Sequence, residues 1–228
     1  MATSGTATFN MDFAEIAEEA WERAGREMRS GYDLRTARRS MNLLTLEWQN
    51  RGINLWTIDS DTVSLTTGTS QYTLPADTID LLEQVIRTDS GDITKQSDLN
   101  ISRISVSDYS SIPNKLTRGR PIQVWIERLI TAPRINVWPV PDSNDYTFVY
   151  WRMRRIEDAG NGVETADMNY RFLPSLVAGL AYGIAMKEPE LAPRLQMLKT
   201  EYEAQFQLAA QEDRDKTSAR FVPRATRI

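Results

Sequence analysis

"NVWPVPDSNDYTFVYWRMRRIED", residues 136–158, sets two strand-like runs on either side of a turn built from Pro139, Pro141 and Asp142. Side chains alternate between the two faces of a strand. In the second run this puts Val149, Trp151 and Met153 on one face, read as core. Phe148, Tyr150, Arg152 and Arg154 fall on the other, an aromatic and basic face. That face has three readings. It is a solvated surface with arginine stems lying on rings, a protein–protein interface, where Tyr, Trp and Arg are enriched, or a platform for single-stranded nucleic acid.

Upstream, the β character extends back to residue 53. In "IQVWIERL" (122–129), Ile122, Val124 and Ile126 alternate with Gln123, Trp125 and Glu127. "PRINVW" (133–138) places Ile135 and Val137 on one face and ends on Trp138. "TVSLTTGTSQYTL" (62–74) reads as a strand, a turn at Gly68 and a second strand, with Pro75-Ala76-Asp77 closing the pair. Residues 79–87 satisfy the helical and the extended period equally well. Residues 98–121 are loop-like, with a helical turn expected at Ser107 or Asp108.

Both flanks are helical. Phe13, Ile16, Ala17, Ala20, Trp21 and Ala24 make one stripe, with Glu15, Glu18, Glu19 and Glu22 off it. Gly31 is expected to break this helix and Asp33 to cap the next. There Leu34, Ala37, Met41, Leu44 and Trp48 recur at helical spacing, Arg35, Arg38 and Arg39 take other faces, and Gly52 ends the run. After a Gly-Asn-Gly loop at 160–162, "YRFLPSLVAGLAYGIAMKEPE" is apolar nearly all round, the pattern of a helix buried on several sides. A last helix is expected from about Glu190 to Asp213, with Leu191, Leu195, Leu198, Tyr202, Phe206 and Ala209 as its stripe. Pro223 argues for an extended tail.

The expected fold class is α+β. It is mainly a helical bundle, with an N-terminal hairpin over 1–52 and a C-terminal hairpin over 161–213. A small antiparallel β region is inserted at 53–160, and an extended basic arm follows at 214–228. Neither helical pair covers its apolar stripe alone, so the two are expected to pack together.

Composition narrows the chemistry. The 228 residues include no cysteine and no histidine. Disulfides, thiolate metal sites, imidazole ligands and a Ser-His-Asp triad are therefore excluded. An enzyme would have to work with carboxylates, Lys, Tyr or a Ser-Lys pair. The acidic residues of the first helix have the spacing of a solvated surface, and no phosphate-loop pattern occurs. No apolar run is long enough for a membrane helix, and no signal-peptide pattern opens the chain. No cofactor, no metal and no membrane partner are expected.

Net charge is −4, unevenly spread. From Arg214 onward five cations face Asp215 alone, a net of +4, which leaves −8 on the other 213 residues. An acidic body does not suit a general DNA binder. "DKTSARFVPRATRI" (215–228) spaces arginines around Phe221, Val222 and Pro223. It reads as a disordered basic end, as an arm that docks in an acidic groove, or as a phosphate contact.

Several stretches, in order, resemble the head-to-tail adaptor (connector) proteins of short-tailed bacteriophages. They are "YTLPADTIDLLEQVI" (72–86), "GRPIQVWIERLITAPRINVWPVPD" (119–142), "YWRMRRIEDAG" (150–160) and "RFLPSLVAGLAYGIAMKEPE" (171–190) leading into the final helix. The resemblance implies a non-enzymatic virion protein at the head-to-tail junction. Such a protein forms a homo-oligomeric ring of twelve copies beneath the portal ring. The ring joins portal to tail nozzle or tube and extends the channel through which DNA passes without sequence-specific binding. Carried over by position, it implies a portal-binding arm that includes Arg214, Lys216, Arg220, Phe221, Val222, Pro223, Arg224 and Arg227. It also implies a subunit or tail interface at Trp125, Trp138, Phe148, Tyr150, Arg152 and Arg154. The rival readings are a carboxylate-dependent hydrolase of cell-wall glycans and a nucleic-acid module built on Phe148, Tyr150, Arg152 and Arg154.

Overall fold

The computed structural model describes residues 5, 9, 11–53 and 55–213. The chain divides into two compact units, one of residues 1–56 and 156–228 and one of residues 57–155. The fold is mixed α and β, with both sheets in the second unit.

The first unit opens with α1 (Phe13–Ala24). Asp12 caps it, and its carboxylate accepts from the Glu15 N–H while Glu15 reaches back to the Asp12 N–H, so two orphan donors are satisfied together. Gly25 ends it at φ 104°, a left-handed conformation that glycine adopts without penalty. The expected break at Gly31 is corrected here, because Gly31 is the first residue of α2 (Gly31–Asn50). Ser30, rather than Asp33, is the N-cap. Asp33 completes the reciprocal capping box from three residues on. Its carboxyl is held below the usual range, first by the Arg29 N–H.

The second unit holds eight strands among its described residues: β1 (Ile58–Ser64), β2 (Gln71–Thr73), β3 (Thr78–Thr88), β4 (Ser97–Asn100), β5 (Ser102–Arg103), β6 (Gln123–Glu127), β7 (Arg134–Trp138) and β8 (Tyr146–Arg154). A short helix, α3 (Val106–Ser111), lies between β5 and β6. One sheet has the order β1-β8-β3-β4 and the other β2-β7-β6-β5. All pairings are antiparallel except β5 with β6. Leu81, Ile86, Phe148 and Tyr150 from the first sheet share one core with Val124, Ile126, Ile135 and Val137 from the second.

Two expected hairpins are therefore corrected. β1 and β2 lie in different sheets, and so do β7 and β8. Pro139 and Pro141 have no N–H to extend a ladder. Between them, buried Val140 donates its N–H to Thr117 instead, so the chain crosses from one sheet to the other. The undecided stretch 79–87 is strand β3. Register shifts between Thr78 and Asp80 and between Leu81 and Glu83 spoil the two-residue period.

The chain returns to the first unit with α4 (Leu173–Ala185) and, after a 3-10 turn at Pro189–Arg194, α5 (Leu195–Glu212). Pro174 sits in the first turn of α4, where its missing N–H costs nothing. α4 packs against α1, α2 and α5, which explains why nearly all of its faces are apolar.

Candidate interaction surfaces

The assignment of faces in β8 holds for Val149, which is buried, but fails for the aromatic residues. Phe148 and Tyr150 are 0% exposed, whereas Trp151 is 38% exposed. β8 is flanked by β1 and β3, and its Phe148 side faces the other sheet. A tyrosine tolerates that burial because its hydroxyl donates to Asp61 Oδ2 at 3.1 Å. Burial, then the Asp61 charge, pushes the Tyr150 phenol well above its ordinary range. Enclosed rings cannot stack on bases, so Phe148 and Tyr150 form neither a nucleic-acid platform nor an open interface.

The same face runs out to a rim of ion pairs. Arg152 Nη1 donates to Asp77 Oδ1 at 2.6 Å and to Thr78 Oγ1 at 3.0 Å, and its Nη2 lies 3.8 Å from Asp59. Arg154 Nε lies 3.0 Å from the same Asp59 carboxylate. Register explains the meeting, since Asp59 sits opposite Arg152 and Asp61 opposite Tyr150. Burial raises the Asp77 pKa, but the Arg152 hydrogen bond and charge outweigh it and hold the carboxyl below its usual value. Both arginines are thus engaged within their own unit.

Trp125 and Trp138 are half-buried on the second sheet. The Trp125 ring lies 5.0 Å from Tyr109 of α3, and the Trp138 indole donates to the Asn114 carbonyl at 3.1 Å. Lys115 sits over the Tyr109 ring. Exposed Val106, Leu116 and Ile122 belong to the same part of the chain, giving an aromatic, basic and apolar surface of the composition found at protein contacts. Two loop residues are also fully exposed: Ile93, between β3 and β4, and Ile130, between β6 and β7. None of Ile93, Leu116 and Ile130 was singled out in the sequence. The available signal is an aliphatic residue in a turn-like stretch, alone at Ile93 and Leu116 and following Leu129 at Ile130.

In the first unit, Phe9, Met11, Trp56, Met168, Tyr170 and Leu173 line a cleft of about 700 Å³, with Glu157 and Asp167 also in its wall. The outward face of α1 consists of Glu15, Glu18 and Glu22. That of α2 begins with Tyr32, Arg35, Arg38 and Arg39 and continues with exposed Leu43 and Leu46. The expected arm residues, Arg214, Lys216, Arg220, Phe221, Val222, Pro223, Arg224 and Arg227, lie outside the described residues.

Among the described residues no group of three or more carboxylates is placed to hold a metal ion. No described helix is long and apolar enough to cross a membrane. Residues 11–227 match the family described as SU10 adaptor protein. No curated protein matches the chain.

Proposed function

The chain belongs to the SU10 adaptor protein family, a family of structural phage adaptors, and from that premise we propose that it forms an adaptor ring, of twelve copies, joining portal to tail. The ring extends the DNA channel. The arm at 214–228 docks on the portal, and the β unit contacts neighbouring copies or the tail nozzle or tube.

The observation that carries this reading is the extent of the family match, which takes in the helical unit, the β unit and all but the last residue of the arm. Surface chemistry supports it. Exposed Leu116, Ile122 and Ile130, in the same stretch of chain as half-buried Trp125 and Trp138, suit contact with protein. A net −8 outside the arm suits a conduit that passes DNA without gripping it.

The test is the native mass of the chain alone and after mixing with the portal ring from the same source. A stoichiometric adaptor ring on the portal is the expected result. No association at any salt concentration would overturn the proposal.

A further inference from the structure

Two helix faces of the first unit carry unpaired charge of opposite sign. On α1, Glu15, Glu18 and Glu22 point outward at spacings of three and four residues. On α2, Arg35, Arg38 and Arg39 do the same around a surface hollow of about 290 Å³ that they share with Tyr32. Among the described residues, none of these six side chains has an ion-pair partner, although neighbouring Glu19 pairs with Arg23 and Glu47 with Arg51. Arg35 and Arg38 are held in place by carbonyls instead, and Arg39 by the Thr36 hydroxyl at 3.5 Å. Arg38 Nη1 donates to Gly160 O at 3.0 Å and Arg35 Nε to Gly31 O at 3.3 Å. Like charges at these spacings repel, so each face is destabilised by itself and relieved by a surface of opposite sign.

We propose that adjacent copies of this chain meet head to tail through these faces, with Arg35, Arg38 and Arg39 of one copy against Glu15, Glu18 and Glu22 of the next. This deepens the ring reading and rests on it. The two patches are different surfaces of one chain, the condition for a heterologous contact that repeats around a ring.

The neighbouring side chains favour a protein over DNA as the occupant of the basic face. The α2 face continues from its arginines into exposed Leu43 and Leu46, and Met186 is exposed at the end of α4. Phosphates gain nothing from such a margin, whereas a protein contact buries it. The acidic side has an apolar margin too. Arg23 of α1 reaches Glu201 of α5 at 3.3 Å, and one turn before Glu201 the Met197 side chain is exposed.

The test uses two full-length variants, R35E/R38E/R39E and E18K/E22K. Glu15 is left in place because it serves the α1 cap. Each is checked for an unchanged thermal midpoint and then assayed for ring formation on the portal by native mass. Each variant alone is expected to lose the ring. An equimolar mixture is expected to regain it, since reversed α2 faces then meet reversed α1 faces. Full rings from either variant alone, or no recovery in the mixture, would overturn the contact while leaving the ring reading intact. Failure of the wild-type chain to form a ring would overturn both. Salt-dependent duplex DNA binding that is lost in the arginine variant, with its rings intact, would assign the α2 face to DNA instead.

Discussion

The indole N–H of Trp48 on α2 donates to the hydroxyl of Tyr202 on α5 at 3.0 Å, across 154 positions of sequence. The same hydroxyl donates to Glu47 at 3.3 Å. The bond is buried and ties the N-terminal helices to the last one, with Phe172 and Phe206 packed on the Trp48 ring. Burial pushes the Tyr202 phenol up to about 12, so it remains a neutral hydroxyl at physiological pH. Tyr202→Phe removes the acceptor and strands the indole N–H. The expected cost is about 1–3 kcal/mol, read as a lower denaturant midpoint. An unchanged midpoint would mean that the indole finds another acceptor.

That geometry also separates two glycines of α4. A β-carbon on Gly179 would stand 2.8 Å from the Tyr202 ring and 2.9 Å from Leu44, and the ring is fixed by its bond to Trp48. On Gly183 it would meet only Ser40, at 3.8 Å. Gly179→Ala is expected to destabilise by about 1–3 kcal/mol through overpacking. Gly183→Ala is expected to stabilise by up to about 1 kcal/mol through helix propensity. Opposite shifts in the unfolding midpoint check the pair, and equal shifts would refute the close approach at Gly179.

The Arg152–Asp77 pair gives a pH dependence. The folded pKa of Asp77 lies below its unfolded value because the Arg152 bond and charge outweigh burial. In acid the unfolded chain therefore binds the proton more readily. The stability gained is complete above the unfolded value of about 3.9 and is lost as pH falls through the folded value. Asp77→Asn should flatten that part of the acid limb of a stability–pH profile, and Arg152→Met should flatten it as well. Asp77 is 44% exposed, so solvent screening keeps the effect below about 1 kcal/mol. An acid limb unchanged in both variants would exclude the pair as its source.

The unequal burial of the β8 aromatic residues predicts unequal responses to truncation. Phe148→Ala empties a fully buried site and is expected to cost about 3–5 kcal/mol. Trp151→Ala, at an exposed site, is expected to cost less than half as much, although the side chain removed is larger. Urea unfolding of the two variants measures the difference. A Trp151 variant as damaged as the Phe148 variant would restore the original assignment of faces.

This strand also shows where reading the sequence stops. Alternation sorts β8 into two sets but does not say which one faces the core, because both contain aromatic residues. The second sheet decides, and which face of β8 it covers depends on how the chain crosses between the sheets at Pro139–Pro141. Helices are more legible, since polarity marks the outer face: the stripe from Phe13 to Ala24 and that of Leu198, Tyr202, Phe206 and Ala209 are both buried. β3 stayed ambiguous because its register shifts break the period that would identify it. Gly25 and Gly31 look alike in sequence, and the cap at Ser30 separates their roles. Ile93, Leu116 and Ile130 become surface candidates only once their loops are placed, since exposure is a property of the fold.

Removal of residues 214–228 is the direct test of the portal arm. Among the described residues the last buried positions of α5 are Phe206 and Ala209, and the helix ends at Glu212, so the truncation leaves every described core residue in place. Its thermal midpoint should match that of the intact chain. What is lost is a net +4 and the apolar trio Phe221, Val222 and Pro223. Charge of that kind speeds docking on an acidic groove and makes it salt-sensitive, and the apolar residues hold it there. The truncated chain should therefore not bind the portal at any salt concentration. A chain in which Arg214, Arg220, Arg224 and Arg227 are replaced by Gln should bind weakly and with little salt dependence. Unchanged affinity after truncation would place the portal contact on the described body of the protein and leave the arm without this role.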